Sequence, residues 1–336
     1  MISFTTVVVT YANRGELLRR VVNSAVESGS NMVIIVDNGS EPASKEIINS
    51  MSTSAQGVHY HIIKNENNEG SAIAFYQGMD AAASDLNPNE VVLFLDDDNL
   101  AEEGSIQRAI ETAVTHDNSS SVFFLLREDR PHYIDFINTR KDEILLGDDN
   151  AFMGFSSSKY IKKLSSKIFK KESVNSNNVT KNEGSENLIP IPCGPYGGML
   201  TKKSILKEGR RPMKELVLYF DDTIYTYDLS KSGVNLFLLK DCLVKDIDDS
   251  WSAIKPAKNS SPLFEAGEFK LSHTIRNRIY FEMSITTKSK FKYMANISLF
   301  MSILLVKAVM TKNIKTYVRI LKYIVNGFRF YNEKAR

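Results

Sequence analysis

The stretch Val91–Leu100 reads VVLFLDDDNL, five apolar residues running into three consecutive aspartates. An apolar run that short predicts a buried strand of a central sheet. The aspartates then fall at the strand's carboxyl end, where open α/β sheets bind ligands. Asp96 and Asp98 are two residues apart and can aim at one point if the turn allows it. Converging carboxylates suit a hard divalent cation, which in turn suits a diphosphate. The same residues also suit a solvated acidic turn or the start of a helix, because LAEEGSIQRAIETAV follows and negative charge is favourable at a helix N-terminus.

The preceding chain repeats the pattern. Ser3–Thr10 (SFTTVVVT) is a β-branched run that predicts a buried strand. After the turn-rich Tyr11–Gly15, apolar residues at Leu17, Val21, Val22 and Ala25 predict a helix over 16–28. Met32–Val36 predicts a second strand, ending in Asp37-Asn38-Gly39-Ser40, and Pro42–Met51 a helix. Val58–Lys64 predicts a third strand, and Ser71–Ala83 a helix rich in small residues. Alternating strands and helices at this spacing imply an α/β fold, a mainly parallel sheet flanked by helices. A dinucleotide-binding fold is the rival reading, but no GxGxxG follows the first strand.

Four short motifs, Thr10-Tyr11-Ala12-Asn13-Arg14, Asp37-Asn38-Gly39-Ser40, Asn68-Glu69-Gly70-Ser71 and Asp96-Asp97-Asp98, each end a predicted strand. In this order the set resembles a family 2 glycosyltransferase of GT-A fold. The resemblance is clear over about the first 110 residues, and implies a nucleotide-diphosphate sugar donor with Mn²⁺ or Mg²⁺. It implies that Asp37 holds the base or ribose, and that Asp96 and Asp98 form the DXD pair with Asp98 as the direct metal ligand. Asp96 then reaches the ribose or, through water, the metal. Thr10, Tyr11, Arg14, Asn68, Gly70 and Asp97 line the nucleotide pocket, with uridine or thymidine as the base. Two local readings stay open beside these: an Asx turn at Asp37 and a helix N-cap at Asn68. Gly70 would allow close backbone approach to the donor.

Further along, Gly104–Thr115 predicts a helix and Ser121–Leu126 another strand. Ser156–Asn187 is biased to Ser, Lys and Asn, and its second half has too few apolar residues to bury itself. It reads as a mobile loop that orders over acceptor or donor. Its basic run KKLSSKIFKK suits phosphate, anionic lipid or a solvated helix face. Pro/Gly-rich IPIPCGPYGGM (189–199) and Leu216–Leu229, LVLYFDDTIYTYDL, follow. The latter resembles the family's base segment, most closely in the galactofuranosyl- and rhamnosyltransferase branch. An inverting transfer needs one carboxylate to take the acceptor's proton, which makes Asp222 the first candidate and Asp221 the second; both also suit helix capping.

Val234–Val244 predicts a strand leading into Lys245-Asp246-Ile247-Asp248. Many relatives place a metal-binding histidine here; this chain has none, and Asp246 or Asp248 can substitute as hard oxygen donors. Trp251 suits either stacking on a sugar face or simple packing. His273–Tyr280 resembles an Arg-Asn element of the same bacterial branch, which would set Arg276 and Arg278 against diphosphate or a phosphorylated acceptor. The alternative is snorkelling or pairing on a helix surface.

Composition bounds the rest. At 336 residues and a net charge of +2, the chain can bury one large domain, or one and a half. The expected division is a catalytic domain over 1–250, with a nucleotide half (1–115) and an acceptor half (116–250), then a helical region over 251–336. Cys193 and Cys242 have no metal spacing, and the N-terminus carries no secretory pattern, so the expected location is the cytoplasm. Phe291–Tyr331 reads as helical. Its apolar stretch is too short and polar for a confident span. Its many lysines suit helices lying on an anionic membrane, a place fitting a lipid-linked acceptor, or packing on the catalytic domain or a second subunit as a homodimer. A nucleotidyltransferase would carry a richer phosphate loop after the first strand, and a non-catalytic relative would have lost its carboxylates. No motif supports nucleic-acid binding.

Overall fold

The computed structural model describes residues 2–54, 57–86, 89–116, 118, 120–168, 187–248 and 260–334. The chain divides into two compact units, Met1–Ile137 with Gly184–Trp251, and Asn138–Glu183 with Ser252–Arg336. The expected division at residue 250 is therefore incomplete, because the segment 138–183 leaves the catalytic half and joins the C-terminal helices.

In chain order, β1 (Phe4–Ala12), α1 (Gly15–Glu27), β2 (Ser30–Ser40), α2 (Pro42–Ser54), β3 (His59–Asn65), α3 (Ser71–Ser84) and β4 (Val91–Asp96) alternate as expected. Next come β5 (Asn99–Ala101), α4 (Ser105–Thr115), β6 (Ser121–Leu126), α5 (Pro131–Thr139), α6 (Glu143–Leu146) and α7 (Ser157–Ile168). Then follow β7 (Leu188–Pro190), β8 (Met199–Lys202), α8 (Lys203–Lys207), α9 (Asp221–Lys231) and β9 (Asn235–Asp246). The chain ends in α10 (Pro262–Glu265), α11 (Glu268–Phe281), α12 (Lys290–Met310) and α13 (Ile314–Lys334). The first part of the expected loop over 156–187 is thus α7; residues 169–186 lie outside the described residues, as does Trp251.

The sheet of the first unit runs β3-β2-β1-β4-β8-β6-β9-β5, with β7 also on β9. β3, β2, β1 and β4 are parallel, and β8 enters antiparallel between β4 and β6. β6 and β9 are again parallel. The fold class is therefore as read: a mixed, mainly parallel sheet flanked by helices. Helices cover both faces of the parallel strands, which is why β1, β2 and β4 are almost continuously apolar and buried. The small residues of α3 have a packing reason. A Cβ at Gly78 would lie 2.5 Å from Val7 Cγ1, so the helix sits directly on β1.

This topology sends the carboxyl ends of β1, β2, β4, β6 and β9 to one edge. Thr10 stands opposite Asp37, and Val9 opposite Asp96. β8 begins at that same edge, where the Gly198 amide donates to the Phe94 carbonyl at 2.8 Å.

Candidate active site

The three aspartates part company at the end of β4. Asp97 is 2% exposed and turns inward, where the Thr10 hydroxyl donates to its Oδ2 at 2.7 Å and Arg14 Nε to its Oδ1 at 2.7 Å. Asp98 accepts from Arg14 Nη2 at 2.7 Å and from Asn99 Nδ2 at 3.1 Å. No described residue donates a hydrogen bond to the carboxylate of Asp96. Burial, then the neighbouring charge of Asp98, pushes the pKa of Asp96 up to about 7. Burial likewise raises Asp97 to about 6 against the pull of Arg14, and Asp98 is shifted upward too. A carboxylate held short of ionisation by burial and a like charge is relieved by a cation.

Two arginines supply cations within the cluster. Arg14 reaches Asp97, Asp98 and Asp248 at once, and lies over the Tyr11 ring, 5.3 Å from its centroid. Burial works against its charge, but Asp97, Asp248 and Asp98 together hold it protonated. Arg127, 7% exposed, pairs with Asp246, which Arg130 also reaches. Arg127 is the cation that opposes the upward shift of Asp96 and of Asp222. The two substitutes for the missing histidine, Asp246 and Asp248, are thus both engaged by arginine. Among the described residues, no group of three or more His, Cys, Asp or Glu is arranged to hold a metal. The protein offers Asp96 and Asp98. That donor set fits a small divalent ion, which is commonly held by one or two carboxylates plus substrate phosphates.

Asn99 ties this turn to the far side of the sheet. It pairs with Asp246 across β5 and β9, donating to Asp246 Oδ1 at 2.9 Å, and its Oδ1 accepts from the Asp96 amide at 3.1 Å. Gly197 makes room for it, because a Cβ there would overlap Asn99 Oδ1 and come within 2.8 Å of Asp96 Oδ2.

On the β2 side, Asp37 is 1% exposed. Its Oδ1 accepts from the Ser40 amide at 2.8 Å, which is the Asx turn. Its Oδ2 is buried with no hydrogen-bond partner, and so is the Ser40 hydroxyl. Buried polar atoms are rarely left unpaired, which sets these two oxygens apart at the end of β2.

The Asn68–Ser71 motif does something the sequence did not suggest. Asn68 Oδ1 accepts from Asn38 Nδ2 at 3.1 Å and from the Gly70 amide at 2.9 Å, while Asn38 Oδ1 accepts from the Glu69 amide and Asn65. Gly70 has φ +88°, and the close approach it permits is to the backbone of Val217: a Cβ would overlap the Val217 carbonyl oxygen. That carbonyl accepts from the Ala72 amide at 3.1 Å, and the Ser71 hydroxyl donates to Asp221 Oδ2 at 2.8 Å. The loop therefore clamps the turn that presents the second acidic pair. The turn is strained, with Val217, Tyr219 and Phe220 at φ +64°, +70° and +62°. Such backbone costs about 1–3 kcal/mol per residue and persists where the surroundings over-determine it.

The clamp separates Asp221 from Asp222. Asp221 is 2% exposed, spent on Ser71, and shifted strongly upward by burial and then by Asp222. Asp222 keeps more exposure. Its Oδ1 accepts from the Thr223 amide at 2.6 Å and hydroxyl at 3.1 Å, and no described residue donates to its Oδ2. Asp222 lies close enough to Asp96 to contribute to the latter's raised pKa, so two motifs far apart in sequence are neighbours in the fold.

Arg276 lies in the second unit on α11, its guanidinium 4.7 Å from the centroid of the Phe330 ring; Arg278 pairs with Glu282. Arg278 thus makes the acid pair named as an alternative in the sequence reading, and Arg276 makes a ring contact that the reading did not name. The residues that sequence reasoning missed are Arg127, Asn99 and Ser71. Arg127 had a usable signal: like Asp37 and Asp96, it stands where an apolar strand, SVFFLL, ends.

Residues 6–176 match the glycosyl transferase family 2 domain, and the chain belongs to that family. The fold is also that of the crystal structure of GalNAc-T7 with UDP, GalNAc and Mn²⁺, with TM-score 0.51 and 14% identity over 83% of this chain and 51% of that one. This chain thus spans about half the length of GalNAc-T7. The mannosyltransferase PcManGT from Pyrobaculum calidifontis, in complex with GDP-Man and Mn²⁺, is similar with TM-score 0.50 and 12% identity over 99% of this chain and 88% of that one. No curated protein matches the sequence.

Proposed function

We propose that this family member is an inverting, metal-dependent transferase. It moves a hexose, such as galactofuranose or rhamnose, from a uridine or thymidine diphosphate to a hydroxyl of a lipid-linked glycan on the cytoplasmic side, in surface-polysaccharide synthesis. The observation that carries the reading is the nearness of two acidic motifs: Asp96 and Asp98 at the end of β4, and Asp222 at the start of α9 close enough to perturb Asp96. Solved structures of similar fold were crystallised with nucleotides and Mn²⁺, which supports a divalent ion here.

Asp37 and Ser40 bind the nucleoside through their unpaired oxygens. Asp98, with Asp96 beside it, holds Mn²⁺ or Mg²⁺, and Arg14 and Asn99 keep Asp98 oriented. When bound, the ion neutralises the diphosphate as the glycosidic bond breaks. Asp222 takes the proton of the acceptor hydroxyl; that oxygen bonds to C1 from the opposite face, and the nucleoside diphosphate leaves with the electron pair of the old bond. Asp222 suits this role better than Asp221, whose carboxylate is buried and held by Ser71.

Titration calorimetry of the protein with UDP, dTDP and GDP in the presence of Mn²⁺ tests the reading. Micromolar binding of one nucleotide, lost with chelator or in Asp98→Ala, is the expected outcome. Well-folded protein that binds none of them refutes it.

A further inference from the structure

The second unit carries an exposed surface that its own core does not need. That core is built from Leu271, Ile275 and Ile279 of α11, Tyr293, Ile297, Met301 and Leu304 of α12, and Ile320 and Ile324 of α13, with Phe152. Burying one stripe of α12 leaves the opposite one exposed. At 100° per residue, Phe291, Met294, Leu305, Val306 and Val309 share one face, with Ala295, Ser298 and Ser302 between them. Phe291 is 84% exposed and Val309 61%. This face contains no charged residue and runs for about 27 Å at the helical rise. Among the apolar residues in the second half of α12, Leu304 is core, Val306 is surface, and Leu299 and Ile303 are half-buried.

On α13 the exposed apolar residues are Ile314, Val318, Leu321 and Val325, a single stripe at i, i+4, i+7 and i+11. Beside that stripe, Lys315, Lys322 and Arg329 recur at seven-residue spacing, all exposed. None of the three forms an ion pair with a described residue. From 283 to 332 the sequence has nine Lys or Arg and no Asp or Glu. α12 is the one helix among the described residues long and apolar enough to cross a membrane by length and composition. Its buried stripe is core of the unit, however, so the helix is built to lie along a boundary rather than through it.

We propose that the exposed faces of α12 and α13 dock the protein on an anionic lipid bilayer, the apolar stripes entering the headgroup region and the Lys315-Lys322-Arg329 ladder meeting acidic headgroups. An apolar stripe flanked by cations is the chemistry of interfacial helices. Charge decides between this occupant and a second copy of the chain. A self-complementary contact through this acid-free region sets like charges together, whereas an anionic surface pairs each one. The inference does not depend on the choice of donor or acceptor.

The test is co-sedimentation of the full chain with phosphatidylglycerol-containing liposomes and with pure phosphatidylcholine liposomes, alongside sedimentation equilibrium without lipid. Expected are a monomer, binding to the anionic vesicles that weakens with salt, and far weaker binding to the neutral ones. Lys315→Gln/Lys322→Gln/Arg329→Gln should lower the partition roughly a hundredfold, at about a fivefold loss per charge. Leu305→Ser/Val306→Ser/Val309→Ser should lower it as well; all six positions are exposed or stripe residues, and unchanged melting temperatures confirm that both variants fold. Absence of binding to anionic vesicles overturns the proposal, as does equal binding to neutral ones or indifference to both variants. A dimer that the serine variant dissociates, with no vesicle binding, assigns the face to a second copy instead.

Discussion

Each unit buries a carboxylate beside an arginine, and the two are finished differently. In the second unit, Glu282 is 2% exposed. Its Oε1 accepts from Arg278 Nε at 2.6 Å and the Met153 amide at 2.9 Å, and its Oε2 accepts from the Tyr293 hydroxyl at 2.8 Å. Both oxygens are satisfied within the unit. Among the described residues of the first unit, none donates a hydrogen bond to the Asp96 carboxylate, Asp37 Oδ2 and Ser40 Oγ are orphaned, and Arg127 Nε is buried without a partner. A completed polar network is scaffold. A network left open within a well-packed sheet marks a place that a ligand completes. The contrast sets a closed polar network on α11 and α12 against an open one at the carboxyl ends of β2 and β4.

The sharpest way to break the comparison is at the open network. Asp222→Asn should reduce transfer about a thousandfold, about 4 kcal/mol in the barrier, while leaving nucleotide binding and the melting temperature in place. Retained turnover would move the base to Asp221. At the closed network the loss should instead be one of stability. Glu282→Ala strands Arg278 and the Tyr293 hydroxyl and should cost about 3 kcal/mol in denaturant melts. A neutral result there would mean the network is not structural. A smaller effect is expected of Gly70→Ala, which combines a positive φ with overlap on Val217 and should destabilise by about 2 kcal/mol. If Gly70 instead serves the donor alone, nucleotide affinity falls while stability is unchanged.

Taken per pH unit, the smallest expected effect is a slope in stability. Asp96 is pushed up to about 7, so the folded, metal-free protein keeps its proton between about pH 4 and 7 whereas the unfolded chain releases it. The stability linked to this group is therefore fully present near pH 4 and declines as pH rises to 7, by on the order of 1 kcal/mol per pH unit. Asp96→Asn should flatten that part of the profile in chemical-denaturation series across the window. A slope identical to that of the parent protein would show that the group titrates normally.

Much of this site was legible in the sequence, for one reason: strands that are buried on both faces are written as apolar runs, and what ends such a run stands at the sheet's edge. Asp37 and Asp96 were found that way, whereas the acidic start of α9 was read from the resemblance of LVLYFDDTIYTYDL to the family's base segment. Asn99, Ser71 and the true neighbour of Gly70 were not, because each acts on a residue brought close by folding: Asn99 on Asp246, Ser71 on Asp221, Gly70 on Val217. Short antiparallel strands such as β5 and β8 were missed too, being too brief to show a period.

The sequence by itself determined the alternation of strand and helix, the carboxylates at the strand ends, and the acid-free basic C-terminal region, since periodicity and charge are properties of local order. Tertiary structure alone decided how each carboxylate is partnered. Arg14 and Arg127 engage Asp97, Asp98, Asp246 and Asp248, Ser71 engages Asp221, and no described residue donates to the Asp96 carboxylate or to Asp222 Oδ2. Availability depends on distance and burial, which arise only when remote segments meet.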